Sequence, residues 1–141
     1  MPNINPYLTF ASDTEAAFNF YKSVFGGEFL MLVRFKDMPS ENLSPSEADK
    51  IMHVSLPIGK GTVLMGSDAP LFMGKLTNGN NFYISIDTES EAEATKLYNG
   101  LSAGGKITMP LGKAPWGAFF GMFEDKFGIR WMVNYDYNRP K

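Results

Sequence analysis

At 141 residues, with no cysteine and a net charge of -2 from 13 Lys+Arg and 15 Asp+Glu, the chain is one domain's worth of sequence. A domain of this size buries roughly 70% of the surface its unfolded chain would expose, so it needs neither disulfide nor cofactor to fold, and no cofactor is expected. The missing cysteines exclude a disulfide framework, a thiolate metal site and a cysteine nucleophile, and the evenly dispersed charge offers no basic stripe for nucleic acid.

The opening MPNINPYLTF has neither a basic lead nor a long apolar core, and no later apolar run approaches the ~20 residues that span a bilayer. A soluble, cytoplasmic chain with no membrane partner is expected. Tyr7 to Phe10 alternates about Leu8 and Phe10 and stops at ASDTE, where Ser12 or Asp13 is placed to cap a helix and Glu15 lies in its first turn. Ala16, Ala17, Phe20, Tyr21, Val24 and Phe25 recur at helical spacing, and Gly26-Gly27 ends the helix. Glu28 to Phe35 reads as a strand too apolar for a fully wet face, hence central or covered on both sides.

Residues 37–50, rich in Pro, Ser and acidic side chains, lack periodicity and form a loop of the length that suits a lid, a partner contact or local disorder. His53 to Ile58 alternates, with Val54, Leu56 and Ile58 on one face and His53, Ser55 and Pro57 on the other. Gly59-Lys60-Gly61 turns the chain into a strand over Thr62 to Ser67. Residues 69–79 read as a linker whose Leu71, Phe72 and Met73 suit packing against something. In Trp116 to Tyr135 two aromatic-rich runs flank EDKFG, with Asp125 and Gly128 as turn residues, so an antiparallel hairpin is predicted.

From Asn80 the pattern starts over. Tyr83 falls on Tyr7, Ile86 on Phe10 and Gly104-Gly105 on Gly26-Gly27, while GTVLMGSD lies over GIRWMVNY at a spacing of 67 residues. One supersecondary unit is therefore used twice, as βαβββ modules over about 3–68 and 80–137. A module with a helix on one sheet face leaves the other open and needs a partner, so residues 1–141 are expected to form a single domain. The fold class is α+β: paired βαβββ modules forming a curved, mostly antiparallel sheet cup with helices on the convex face.

PYLTFASDTEAAFNFYKSVFGGE, MPS in the first long loop, HVSLPIG with VLMGSDA, and DKFGIRWMVN carry a likeness to a known family. On them the chain resembles the vicinal oxygen chelate superfamily of glyoxalases, extradiol dioxygenases, bleomycin-type resistance proteins and epimerases, and within it the PhnB-like branch over nearly its full length. The resemblance implies four metal-ligand positions on the first and last strands of each module. Strand register carries them onto Asn5, Met65, Asn81 and Met132, two amides and two thioethers, a poor set for Mg, Mn, Ni, Zn or Fe, so no metal is expected. It also implies a homodimer. Some members of the branch bear a ubiquinone-biosynthesis methyltransferase label, yet the Gly-rich strand-to-helix turn of a nucleotide-binding sheet is missing from this sequence.

His53, the one histidine, lies on the cup face either as a general base or ligand donor, or as a structural histidine bonded to a neighbour. Glu124 and Arg130 face each other across the last hairpin if Asp125 pairs with Ile129; they are either an acid-base and anion-clamping pair or a cross-strand ion pair that fixes register. Trp116, Phe119 and Phe120 with Met65, Met122 and Met132 suit an adaptable apolar floor, and Trp131 belongs to the helix-covered core. The expected ligand-binding residues are Asn5, Tyr7, His53, Met65, Asn81, Tyr83, Trp116, Phe120, Arg130 and Met132. The expected function is metal-free binding of a small apolar or aromatic molecule. The alternative is a glyoxalase, epimerase or dioxygenase type of enzyme with a shifted metal site or with His53 and Glu124 in acid-base roles.

Overall fold

The computed structural model describes residues 2–38, 44–70 and 73–138. The chain divides into two compact units, Met1–Thr77 and Asn78–Lys141. Unit 1 runs β1 (Tyr7–Phe10), α1 (Thr14–Phe25), β2 (Met31–Arg34), one 3-10 turn (Phe35–Asp37), β3 (Ile51–Gly59) and β4 (Thr62–Asp68). Unit 2 runs β5 (Ile84–Asp87), α2 (Glu91–Ser102), β6 (Lys106–Ala114), β7 (Ala118–Glu124) and β8 (Arg130–Asp136). Each is a βαβββ module. The sheet orders, β1-β4-β3-β2 and β5-β8-β7-β6, are the same arrangement twice, with only the first pair in each parallel. Parallel neighbours require a crossover connection, and in both modules the chain leaves the first strand through a helix.

In unit 1 the period of two sends Leu8, Phe10, Val54, Leu56 and Leu64 into a core closed by Ala17, Phe18 and Tyr21 of α1. The buried stripe of α1 is turned from the predicted one: Phe18 is fully buried and Ala16 is exposed. The reason lies on β4, where a Cβ on Gly66 would stand 2.7 Å from the Phe18 ring, so the glycine makes the hollow that ring fills. Each large apolar side chain buried this way stabilises the fold by about 1.5–3 kcal/mol.

Two expectations for unit 1 are corrected. Asp13 is the N-cap of α1 but its side chain caps nothing; the amide and hydroxyl of Thr14 donate instead to Asp68 Oδ1, at 3.1 and 2.7 Å. Asp68 Oδ2 accepts from the Ile51 amide at 2.8 Å, so one buried carboxylate ties helix start, β3 and β4 together. The strand foreseen over Glu28 to Phe35 is only Met31–Arg34, and it is an edge strand of its sheet with Met31 exposed, not a central one. Part of the 37–50 loop, and Leu71 and Phe72 of the linker, lie outside the described residues; Met73 is exposed.

Arg34 tethers the start of this loop region to α1. Its guanidinium donates to both oxygens of Glu15, at 3.1 and 2.5 Å, and to the Asp49 carbonyl at 2.9 Å. These bonds hold the Glu15 carboxyl below its ordinary range and raise Arg34. A depressed carboxylate contributes stability above its unfolded pKa, about 4.3, and loses it as pH falls through the folded value. The Glu15 side chain is 48% exposed, so screening keeps the pair below about 1 kcal/mol. Glu15→Gln should thus destabilise by about 0.5 kcal/mol at pH 7 and by nothing measurable near pH 3 in parallel urea titrations; an equal loss at both pH values would refute the electrostatic account.

In unit 2, Ser90 caps α2 by accepting from the Glu93 amide at 3.0 Å, and Glu93 reaches back to the Glu89 amide. The helix buries Ala94, Leu97, Tyr98 and Leu101, and the sheet answers with Phe123, Trp131 and Val133. Trp131 is fully buried, as predicted. Tyr98 meets Phe123 edge-to-face at 5.5 Å and lies over Gly121, where a Cβ would come within 2.9 Å of its ring. The predicted hairpin is β7 with β8, in the register Glu124↔Arg130, and Asp125 N donates to Ile129 O at 2.7 Å. At the end of β8 the Tyr137 hydroxyl donates to Glu91, which pushes its pKa up to about 12.

Candidate functional site

Each helix covers one face of its sheet and alternation leaves the other face to the remaining side chains. On the uncovered face of unit 1, Tyr7, Met65 and Ser55 stand in one register row across β1, β4 and β3. The Tyr7 hydroxyl lies 3.3 Å from His53 Nδ1, with the rings 5.6 Å apart. His53 thus has a side-chain partner two strands away, and Tyr7 remains 47% exposed. Asn5 precedes β1, and its carboxamide oxygen accepts from the Val63 amide at 2.9 Å, which spends that oxygen on continuing the β1 to β4 pairing.

The uncovered face of unit 2 is graded along the strands. Ser85, Met132 and Met122 form one register row, and Met109 of β6 stands beyond Met122. Two residues toward one end lie Arg130 and Glu124; two residues toward the other lie Asn134, Phe120 and Gly112. Successive rows are about 6.6 Å apart at the rise of a strand. Arg130 Nη2 is 3.4 Å from Glu124 Oε1, and the guanidinium carbon is 5.9 Å from the centre of the Tyr83 ring. Tyr83 lies just before β5 and is half-buried; Asn81 is exposed.

At the far end, Trp116 sits in the turn between β6 and β7, is 61% exposed, and meets Phe120 edge-to-face at 5.4 Å. Beside them opens a shallow recess of about 210 Å³ lined by Met109, Pro110, Gly112, Pro115, Trp116 and Phe120, with Lys113 its one charged lining residue. Ligand pockets for drug-sized molecules run to about 300–1,000 Å³, so the recess alone suits one or two fused rings. Met109 and Pro110 were not legible as site residues, because bulges in β6 break the alternation that would have assigned them a face.

Two buried carboxylates are structural. Asp68 joins α1 to β3, and Asp125, also buried, accepts from the Phe127 and Ile129 amides with Oδ1 and from Trp131 Nε1 with Oδ2. Among the described residues no three His, Asp, Glu or Cys side chains converge as a metal would need. The positions at which the superfamily likeness implies metal ligands hold soft thioethers on the last strand of each unit, Met65 and Met132, and neutral amides, Asn5 and Asn81, that lie before the first strand of each unit and not on it; Asn5 is already engaged. Neither unit's pair, one amide and one thioether, offers the anionic or imidazole donors that a hard or borderline divalent ion favours.

The model of the Glyoxalase/Bleomycin resistance protein/Dioxygenase superfamily matches residues 3–133. The chain belongs to this superfamily. Among solved structures of this superfamily's fold, protein PA1353 from Pseudomonas aeruginosa is similar at 38% identity and TM-score 0.85, covering 96% of this chain and 98% of that one. A Bacillus cereus PhnB protein described as a putative 3-demethylubiquinone-9 3-methyltransferase is similar at 26% identity and TM-score 0.74, covering 95% and 99%. Protein YjdN of Escherichia coli K12 is 28% identical over 146 aligned positions, 97% of each chain. The glyoxalase-superfamily fold and PhnB-like neighbours foreseen from the sequence are thus found. Among the described residues no helix is long and apolar enough to cross a membrane.

Proposed function

We propose that this superfamily member binds a small planar, apolar or aromatic molecule without a metal, on the sheet face away from the helix. The observation that carries the reading is the adaptable apolar strip on unit 2: Met132, Met122 and Met109 lead to Phe120 and to Trp116, which is exposed beside an apolar recess. Methionines reshape at low cost and aromatic rings offer stacking faces. An exposed tryptophan next to such a hollow has apolar surface left to bury, worth about 25 cal/mol per Å². Asn81 and Tyr83 are the further contact residues proposed on unit 2; on the corresponding face of unit 1 the proposed contact residues are Asn5, Tyr7, His53 and Met65.

The enzyme alternative draws on His53 and Glu124. Each already faces a side chain of its own unit, Tyr7 and Arg130, which favours binding over acid-base turnover. A methyltransferase activity, the description given to the B. cereus neighbour, finds no support in the strand-to-helix turns 11–13 and 88–90, which contain no glycine to cradle a nucleotide.

The test is a fluorescence titration with the uncharged probe N-phenyl-1-naphthylamine. Saturable binding that protects Trp116 from quenching is expected; no saturable binding overturns the proposal. In the same preparation a chelator should leave the melting temperature unchanged, since a resident ion would stabilise the native state by mass action. One metal per chain by elemental analysis would favour the enzyme instead. We further propose a homodimer, supported by apolar side chains exposed at or near a sheet edge of each unit: Leu30 and Met31 in unit 1, Ile107 and Met109 in unit 2. A monomer mass by light scattering at micromolar concentration would refute it.

A further inference from the structure

We infer that Asn78 is a site of spontaneous deamidation and isoaspartate formation, and that Asn99, which has the same following residue, is protected from it by the fold. The chain contains Asn-Gly twice, at Asn78-Gly79 and Asn99-Gly100. In such a pair the backbone nitrogen of the glycine attacks Cγ of the asparagine side chain and closes a five-membered succinimide. The new C–N bond replaces that of the carboxamide, whose nitrogen leaves as ammonia with the proton of the glycine N–H. One water then opens the ring at either carbonyl, giving aspartate or isoaspartate, and nothing is oxidised or reduced. Glycine favours the attack because it has no Cβ to hold its nitrogen off and allows the widest range of backbone angles.

The two sites differ in what holds the backbone. Gly100 lies inside α2 (Glu91–Ser102), where its N–H is committed to the helix ladder and the flanking Tyr98 and Leu101 are buried. Closing the ring there would break a ladder bond and displace core side chains. Asn78 and Gly79 stand in the stretch 76–80, which forms neither helix nor strand, and both are exposed. Neither the Gly79 N–H nor the Asn78 carboxamide has a hydrogen-bond partner among the described residues. What the Asn78 side chain touches is the turn between β7 and β8: its Nδ2 would lie 3.1 Å from a Cβ at Gly128. That is packing against an open glycine, and rotation of the side chain releases it without loss of a hydrogen bond. Conversion removes the carboxamide nitrogen from this contact and adds a negative charge. Isoaspartate also lengthens the main chain by one carbon, at the residue where unit 2 begins and in the segment that leads to Asn81 and Tyr83.

The experiment ages the folded wild-type protein in mildly alkaline buffer and follows the tryptic peptides 76–96 and 97–106, which separate the two sites, by mass spectrometry. Peptide 76–96 should gain about one mass unit with time, fragmentation should place the change on Asn78 and not on Asn80 or Asn81, and an isoaspartate-specific carboxyl methyltransferase should label it. Asn99 should react at least about tenfold more slowly than Asn78 in the native protein, and at a similar rate in urea, where α2 is unfolded. Gly79→Ala should slow the reaction at Asn78 about tenfold or more. Alanine fits there, since Gly79 is not one of the left-handed glycines and its Cβ would meet nothing nearer than Asn81 Oδ1 at 3.4 Å. No change on Asn78, or native rates alike at Asn78 and Asn99, overturns the inference. So does an Asn99 that stays as slow in urea as in the folded protein, because the fold would then not be what protects it.

Discussion

Asp125→Ala should lower the unfolding free energy by about 3–5 kcal/mol in urea denaturation at neutral pH. The carboxylate is 2% exposed and takes three donors: the Phe127 amide at 2.8 Å, the Ile129 amide at 3.0 Å and Trp131 Nε1 at 2.9 Å. Alanine would strand all three where water does not reach, at about 1–3 kcal/mol each, with the sum reduced because the loop can relax. The loss includes more than the loop, because Trp131 is the largest side chain buried against α2 and Asp125 fixes its orientation. Asp125→Asn should cost less, about 1–3 kcal/mol: its oxygen can keep both amides, but its NH2 would confront the indole N–H. A loss below about 1 kcal/mol for Asp125→Ala would show that the hydrogen bonds are replaced by solvent and that the hairpin is held by its aromatic packing alone.

Asp125 also marks what the sequence could and could not convey. Its role as a turn residue was legible, and so was the pairing of Asp125 with Ile129, because loop chemistry and strand alternation are local. That its side chain would claim the Trp131 indole was not, since the contact depends on which way a buried ring points. The same limit explains α1. Its existence and its glycine stop were legible from period and composition, but its buried stripe turned on Gly66, nearly fifty residues away, and its cap came from Asp68 at the end of β4. The repeat was the most informative feature, because it predicted two like modules where single elements were ambiguous. Its limit was β2, where an apolar run suggested a central strand and the topology made it an edge. For the candidate site, alternation put Met132 opposite Trp131 and Glu124 opposite Arg130, whereas the bulged β6 hid Met109 and Pro110.

Met132→Glu should weaken binding of an uncharged planar aromatic by at least about thirtyfold, read as the dissociation constant in a fluorescence titration. Met132 lies in the middle row of the uncovered face, between Ser85 on β5 and Met122 on β7, and is half-buried there. A carboxylate introduced at this point must either lose hydration under the bound ring or keep water where the ring should lie, and both oppose burial of apolar surface. The cation nearest along this face is Arg130, two residues away, and it already faces Glu124, so it offers the new carboxylate little compensation. Met132→Leu serves as the control, since it conserves volume and polarity and should change affinity less than about threefold. His53→Ala completes the comparison from the other unit. Under the binding reading it removes at most the 3.3 Å bond with Tyr7, about 0.5–1.5 kcal/mol, whereas under the enzyme reading it abolishes turnover of any substrate found. Unchanged affinity in Met132→Glu would place the ligand elsewhere than on this face, and the methionine row would then be sheet packing and no binding surface.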